Sequence, residues 1–231
     1  MIALEASGIA KSFVLHLQRG VRLGVLRDAG LTLRAGECVA LTGPSGAGKS
    51  TLLRALYGNY RADAGSIRVR HRGAMVELAG APAAHVIEIR RETIGHVSQF
   101  LRAMPRVPAR DIVAAPLLER GMDEAAARAR AEAMLDALGI PKALHTLPPV
   151  TFSGGEQQRV NLARGFAGDW PILLLDEPTA SLDAANRDRV IALMRAARSR
   201  GAALLGIFHD PLVRDAIADA ELRLEPLKEQ A

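Results

Sequence analysis

The chain has 231 residues, 49% of them hydrophobic and 24% charged, a composition that excludes intrinsically disordered and fibrous proteins. This length is enough for one domain, or two small ones, with a buried core, and too short for a large multidomain machine. The formal net charge is +5, but only four of the 30 cations are Lys and aromatic residues make up 3%, so the composition argues against a nucleic-acid-binding protein.

Short apolar runs separated by glycine-containing turns dominate the first hundred residues, and this pattern predicts strands. The predicted strands cover residues 25–33, 37–41, 66–69 and 93–97. Residues 16–24 are predicted to form an exposed hairpin loop.

From about Ala109 the pattern changes to helical periodicity with many alanines, which predicts a helical insert. One helix is predicted over residues 124–138, because Asp123 is a favourable N-cap and Gly139 a favourable C-terminal stop.

The strand pattern resumes with ILLLD at residues 172–176. A helix is predicted over 184–198, capped by Asp183, and a further strand over 202–208. Because continuous apolar strands alternate with helices, we expect an α/β fold with a parallel sheet covered on both faces.

The apolar stretches are too short to span a bilayer, and the first residues lack the basic start and apolar run of a secretory signal. We therefore expect a cytoplasmic protein without direct membrane insertion. The single cysteine, Cys38, cannot form an internal disulfide, and its apolar neighbours in GECVAL predict a buried side chain.

A glycine-rich segment, GPSGAGKS, follows the predicted strand CVALT and precedes the helical stretch TLLRALYG, as in a P-loop. Glycines allow backbone N–H groups to approach phosphates, and a helix N-terminus favours negative charge. Lys49 is expected to reach the terminal phosphates and Ser50 to ligate Mg²⁺, so the predicted ligand is a nucleoside triphosphate such as ATP. The predicted nucleotide-binding residues here are Gly43, Pro44, Ser45, Gly46, Ala47, Gly48, Lys49, Ser50 and Thr51.

Two carboxylates end the buried strand ILLLD, where a nucleotide site needs a metal ligand and a base. Asp176 is the expected Mg²⁺ partner, directly or through water. Glu177 is the expected general base that polarises the attacking water.

Residues 153–159, SGGEQQR, match the signature of ATP-binding cassette (ABC) ATPases, and further family elements follow the expected order along nearly the whole chain. Gln99 in HVSQF matches the Q-loop glutamine, Asp183 in ASLD the D-loop aspartate and His209 in GIFHD the switch histidine. Phe13 in AKSF matches the adenine-stacking position, where tyrosine is commoner. The sequence is therefore identified as a member of this family.

The resemblance implies a P-loop NTPase fold of the α/β class, with a RecA-like core, an N-terminal antiparallel β subdomain and an inserted helical subdomain that carries the signature. It implies one ABC ATPase domain over residues 1–231. Within it, residues 1–98 and 170–231 form the core and β subdomain, and residues 99–169 form the helical subdomain.

The signature has a physical meaning of its own, because Ser153 and Glu156 fit the S-x-x-E capping box. A helix is therefore predicted to open at Gly154, with its N-terminus aimed at an anion and with Gly155 permitting close approach. The resemblance implies that this anion is ATP bound to a second chain. The dimer would be head-to-tail, formed with itself or with a sister ABC ATPase.

Three further roles are implied by the resemblance. His209 would hold the γ-phosphate and the attacking water, Gln99 would complete the Mg²⁺ coordination, and Asp183 would signal across the dimer interface. The implied catalytic residues are then Glu177, His209 and Lys49.

Four stretches resemble the L-type ATP-binding subunits of phosphonate carbon–phosphorus lyase systems: YGNY, SQFLRAMPRVPARDIV, TFSGGEQQRVNLARGF and GIFHDPLVRD. This finer resemblance implies that the chain drives a soluble phosphonate-degrading complex. Cleavage of the carbon–phosphorus bond is not expected of this chain itself, because one cysteine cannot ligate an iron–sulfur cluster.

Two alternatives share the same ATPase machinery. The first is the nucleotide-binding subunit of an ABC membrane transporter of lipoprotein-release or macrolide-efflux type, which differs in what docks beside Gln99. The second is a cassette ATPase associated with nucleic acid, whose hydrolysis DNA or RNA would stimulate in a salt-dependent manner; we expect no nucleic-acid partner.

Overall fold

The computed structural model describes residues 1–15, 20–101 and 105–227. Its strands are β1 Ile2–Leu15, β2 Val21–Arg34, β3 Cys38–Thr42, β4 Ala64–His71, β5 Ala74–Glu77, β6 Ile94–Val97, β7 Ile172–Asp176, β8 Ala203–Ile207 and β9 Ala220–Arg223. Its α-helices are α1 Lys49–Leu56, α2 Ala83–Glu92, α3 Ala109–Glu119, α4 Glu124–Ala137, α5 Gly154–Ala167, α6 Ala184–Ser199 and α7 Pro211–Ile217.

An antiparallel sheet with strand order β2-β1-β4-β5 covers one side of the molecule. Its first strand, β1, was not predicted, because small and polar residues interrupt the apolar alternation and the register shifts between Ala6 and Ile9. The loop predicted over residues 16–24 is wrong for its last part, since β2 already begins at Val21. Residues 21–24 are exposed, so backbone pairing with β1 rather than burial keeps them extended; residues 16–19 lie outside the described part.

The second sheet is parallel, with strand order β6-β7-β8-β3-β9. Alternate residues of β3 face opposite sides: Cys38 and Ala40 join the core that includes α3 to α7, whereas Val39 and Leu41 join the core that includes α1, α2 and the antiparallel sheet. Cys38 is fully buried, as predicted, and burial raises the pKa of its thiol to about 12. The sheet is therefore covered on both faces, and the predicted α/β class is confirmed.

The segment between β6 and β7 contains the helices α3, α4 and α5. Helix α4 begins as predicted, because the Asp123 side chain accepts hydrogen bonds from the backbone N–H groups of Ala125 (3.0 Å) and Ala126 (3.2 Å). Across residues 1–15, 20–101 and 105–227, no helix combines the length and hydropathy needed to cross a bilayer.

Candidate nucleotide site

The P-loop connects β3 to α1, as its sequence predicts. Gly43, Gly46 and Gly48 have φ angles of 127°, 80° and 88°, a region that residues with a Cβ rarely adopt. A Cβ on Gly48 would also lie 2.9 Å from the carbonyl oxygen of Val25. The loop therefore needs glycine here for both its conformation and its close packing against β2.

Lys49, the first residue of α1, folds back over the loop. Its Nζ donates hydrogen bonds to the carbonyl oxygens of Gly43 (2.8 Å) and Pro44 (2.9 Å). Within the described residues it forms no ion pair with a carboxylate. The ammonium is thus held at the loop with its charge uncompensated, which suits a phosphate ligand.

Ser50 and Asp176 meet where α1 begins and β7 ends. Ser50 Oγ donates a hydrogen bond of 3.1 Å to Asp176 Oδ1, and Asp176 is 2% exposed. Burial raises the pKa of this carboxyl above its ordinary value of 3.8. Two hard oxygen ligands beside a phosphate-binding loop fit Mg²⁺, whose charge would offset the desolvation of the carboxylate.

Gln99, Glu177 and His209 follow β6, β7 and β8, three neighbouring parallel strands whose carboxyl ends share one edge of the sheet. Glu177 Oε2 accepts a hydrogen bond of 3.0 Å from Gln99 Nε2, and its Oε1 lies 2.8 Å from His209 Nε2. Glu177 also has a φ of 52°, an uncommon conformation for a residue with a side chain. The fold thus brings three predicted site residues together at one carboxylate.

The signature opens α5 through the predicted capping box. The N–H and Oγ of Ser153 donate to Glu156 Oε2 (2.9 and 2.7 Å), and Glu156 N–H donates to Ser153 Oγ (3.4 Å). The hydrogen bond from Ser153 lowers the pKa of Glu156. Gly154 has open space where a Cβ would be, and Gly155 is half-buried, so the helix N-terminus is accessible to a ligand.

Two polar side chains on α5 were not singled out from the sequence. Gln158 and Asn161 are both buried, and they donate hydrogen bonds to the carbonyl oxygens of Pro178 (3.4 Å) and Ser98 (2.5 Å), respectively. They connect the signature helix to the segments beside Glu177 and Gln99. Their signal in the sequence is a polar pair at i and i+3 on the apolar face of a helix.

Asp183 caps α6, as predicted. Its Oδ1 accepts from Asn186 N–H (2.8 Å) and its Oδ2 from Asn186 Nδ2 (3.1 Å). In the described part of the chain its carboxylate makes no hydrogen bond to the cluster around Glu177. The structure places Asp183 at a helix start rather than at the reacting end of the site.

Phe13 lies on β1, half-buried, opposite Leu23 of β2. Tyr60 contacts its ring edge-on, with centroids 5.2 Å apart and an interplanar angle of 77°. Lys11 Nζ lies 5.2 Å from the centre of the same ring. The sequence did not identify Tyr60 as its partner, because the two residues are far apart in the chain.

Comparison with known proteins agrees with this geometry. A family model described as "ABC transporter" matches residues 26–180. The chain is 41% identical over 199 residues to "Lipoprotein-releasing system ATP-binding protein LolD" of Novosphingobium aromaticivorans, covering 84% of each chain. It is 37% identical over 229 residues to "Macrolide export ATP-binding/permease protein MacB 1" of Aeromonas hydrophila, covering 99% of this chain and 33% of that protein.

A solved structure has the same fold. It is the "Dimeric structure of a post-hydrolysis state of the ATP-binding cassette MJ0796 bound to ADP and Pi". The TM-score is 0.87 at 26% identity, with 98% of this chain and 97% of that chain covered. The P-loop NTPase architecture, with its antiparallel β subdomain and parallel sheet, is thereby confirmed. The chain belongs to the ABC transporter family and is an ATP-hydrolysing cassette of that family.

Proposed function

We propose that the chain is the nucleotide-binding subunit of an ABC membrane transporter, in which ATP closes a dimer of cassettes and hydrolysis reopens it. The observation that carries the transporter assignment is the 41% identity to a lipoprotein-releasing ATP-binding protein over 84% of both chains. The convergence of Gln99, Glu177 and His209 supports the hydrolytic part of the proposal.

The residues of this chain divide the work on ATP between them. The P-loop N–H groups and Lys49 bind the phosphates, and Ser50, Asp176 and Gln99 hold Mg²⁺. When bound, Mg²⁺ neutralises charge on the phosphate oxygens. Glu177 accepts the proton of the attacking water.

His209 and Gln99 orient the two oxygens of the Glu177 carboxylate, and His209 also contacts the γ-phosphate. Phe13 stacks on the adenine, and Tyr60 contacts the Phe13 ring in a T-shaped arrangement. Each predicted residue around the bound ATP thus has an ordinary chemical role in this proposal.

The exposed N-terminus of α5 supports the head-to-tail dimer. Gly154 and Gly155 present backbone N–H groups and a helix dipole to solvent beside the exposed Ser153, which fits the γ-phosphate of ATP bound by a second chain. The partner is a second copy or a sister ABC ATPase, and Asp183 lies at the interface. The division into residues 1–98 with 170–231 and residues 99–169 is part of the same proposal.

The partner protein docks beside the Q-loop. Phe100, next to Gln99, is 73% exposed, which is uncommon for an aromatic side chain without a partner. Between α2, β6, α3 and α5 there is also a groove of about 370 Å³, where Ile87 is 60% exposed and where Arg90, Arg91 and Arg164 outnumber the one lining carboxylate, Glu119. An apolar segment with acidic residues fits this surface.

A soluble phosphonate-degrading complex is a second candidate partner. The four stretches that resemble carbon–phosphorus lyase ATPases favour it, and they include the Phe100 segment. The relatives described above give it no support, because their names refer to lipoprotein release and macrolide export. The transporter assignment is therefore preferred to the phosphonate expectation.

Affinity purification of the tagged full-length chain from its own cells, in detergent, separates the two partners. We expect an integral membrane permease to co-purify. Recovery of soluble phosphonate enzymes without a permease would reject the transporter. Growth of a deletion strain on a phosphonate as sole phosphorus source gives an independent readout, with wild type and Lys49→Ala as the complementing pair.

A further inference from the structure

A cluster of potential metal ligands lies away from the nucleotide site, where β4 meets α2. His71 is the last residue of β4, and Glu88 and Glu92 lie four residues apart on one face of α2. One ligand atom from each of the three residues lies within 4.8 Å of the others. The cluster thus joins the antiparallel sheet to the segment that leads into β6.

His71 is the unusual member of this cluster. It is only 5% exposed, and its Nε2 is buried without a hydrogen-bond partner among the described residues. Glu88 Oε1 lies 3.9 Å from this nitrogen, which is too long for a hydrogen bond. A buried polar atom without a partner is rare in native structures, so a ligand at this point would resolve an otherwise unfavourable arrangement.

The other ring nitrogen of His71 has a partner that suits metal binding. Nδ1 lies 2.6 Å from the hydroxyl Oγ1 of Thr93. If Nδ1 donates to this hydroxyl, Nε2 carries the lone pair that faces Glu88 and Glu92. Histidine ligands of metals usually have such a hydrogen bond on the second nitrogen, which fixes the tautomer.

We propose that His71, Glu88 and Glu92 form a binding site for Zn²⁺ or a similar divalent transition-metal ion. An imidazole nitrogen with two carboxylate oxygens is a donor set that Zn²⁺ accepts, whereas Mg²⁺ and Ca²⁺ prefer oxygen ligands alone. Three protein ligands leave a fourth position for water.

Arg72 takes the place of the cation in the structure. Its Nη1 lies 2.6 Å from Glu88 Oε1, and its Nη2 and Nε contact Glu92 at 2.8 and 3.0 Å. The Arg72 side chain is 61% exposed, so it can leave the carboxylates for water at little cost. The ion and the guanidinium therefore compete for the same oxygens.

This competition gives the proposal a distinctive test. In equilibrium dialysis of the EDTA-treated full-length chain without nucleotide, we expect one Zn²⁺ per chain. Glu88→Gln and Glu92→Gln should each weaken binding by about tenfold or more, as loss of a ligand does, whereas Arg72→Gln should tighten it. The increase in Tm on adding Zn²⁺ should rank the variants in the same order as their Zn²⁺ affinities, because Zn²⁺ bound to the folded state raises Tm.

Glu124 is an exposed glutamate on α4, so Glu124→Gln is the matched control and should bind Zn²⁺ like wild type. His71→Asn is a further test. Because His71 is buried, the variants of Arg72, Glu88 and Glu92 decide the question if this variant does not fold. No binding to wild type at about 100 µM Zn²⁺ would overturn the proposal. So would binding that survives Glu88→Gln and Glu92→Gln but disappears in Glu177→Gln, since that result places the ion at the nucleotide site.

Discussion

His209 Nε2 lies 2.8 Å from Glu177 Oε1, although the two residues follow different strands and are 32 positions apart. Gln99 donates to the other carboxylate oxygen, so both oxygens of Glu177 have a polar partner. A carboxylate held on both sides is oriented before any water must be positioned. This arrangement makes Glu177 the natural proton acceptor of the site.

Replacing Glu177 with Gln should separate ATP binding from hydrolysis. The amide keeps the size of the side chain but cannot take a proton, so we expect hydrolysis to fall by about 10² to 10⁴ while ATP binding persists. Phosphate release and size-exclusion chromatography with ATP measure the two effects, and a dimer should accumulate. Wild-type turnover in this variant would exclude Glu177 as the base; Glu124→Gln is the control.

Replacing Asp176 with Asn should maintain or increase stability but impair function. Because burial raises its pKa above 3.8, the folded state binds this proton more tightly than the unfolded state. The associated stability is present below pH 3.8 and is lost as the pH rises through the raised pKa. At pH 7 we therefore expect Asp176→Asn to leave the free energy of unfolding unchanged or to increase it.

The same variant should lose Mg²⁺-dependent ATP hydrolysis, because an amide is a weaker Mg²⁺ ligand than a carboxylate. Phosphate release measures hydrolysis, and thermal unfolding at a fixed ATP concentration with increasing Mg²⁺ measures stability and Mg²⁺ binding. Tm should rise with Mg²⁺ in wild type and rise less in Asp176→Asn. A large fall in Tm for the ligand-free variant would contradict the stability argument.

Gly46 and Gly48 provide a matched pair in the P-loop. Both have positive φ, so alanine at either position should cost about 1 to 2 kcal/mol of unfolding free energy through backbone strain. A Cβ at Gly46 meets open space, whereas one at Gly48 lies 2.8 Å from Leu26 Cδ2 and 2.9 Å from Val25 O.

Gly48→Ala should therefore be the more destabilising of the two variants and should disturb the strand that supports the loop. Chemical denaturation of the ligand-free proteins measures the difference. Equal losses for Gly46→Ala and Gly48→Ala would show that packing against β2 contributes nothing.

Features that depend on local spacing were predicted well from the sequence. The P-loop, the carboxylates at the end of β7 and the capping box at Ser153 follow from backbone geometry within a few residues. Strand β1 was missed because its pairing with β2 and β4, rather than its own apolar pattern, makes it extended.

Features that depend on tertiary contacts were missed because the local pattern of residues does not encode them. The sequence does not show that Asn161 reaches the carbonyl oxygen of Ser98, or that Tyr60 packs on Phe13. Each contact joins segments whose proximity is decided by sheet order. In the sequence, Gln99 and His209 are linked to Glu177 only through the positions that they match in the family. The parallel order of β6, β7 and β8 supplies the physical cause of their proximity.

Asp63 holds the end of β1 that carries Phe13. Its carboxylate accepts hydrogen bonds from Ser12 N–H (2.8 Å), Ser12 Oγ (2.6 Å) and Lys11 Nζ (3.1 Å). These hydrogen bonds lower the pKa of Asp63 to about 2. Its contribution to stability is therefore present above pH 3.8 and is lost as the pH falls towards 2.

Asp63→Asn keeps the shape of the side chain but removes its charge and an acceptor oxygen, so the β1 end should hold Phe13 less firmly. We expect the Kd for ATP to rise by about three- to tenfold, the effect of losing one hydrogen bond, with kcat unchanged because the carboxylate contacts Lys11, Ser12 and Arg22 and not the cluster around Glu177. The variant should also lose the part of the acid unfolding transition between pH 3.8 and about 2 that depends on Asp63.

Phe13→Tyr, which retains the ring, should bind ATP like wild type, and Phe13→Ala should bind more weakly. Unchanged ATP affinity in both Asp63→Asn and Phe13→Ala would remove Phe13 from the nucleotide site.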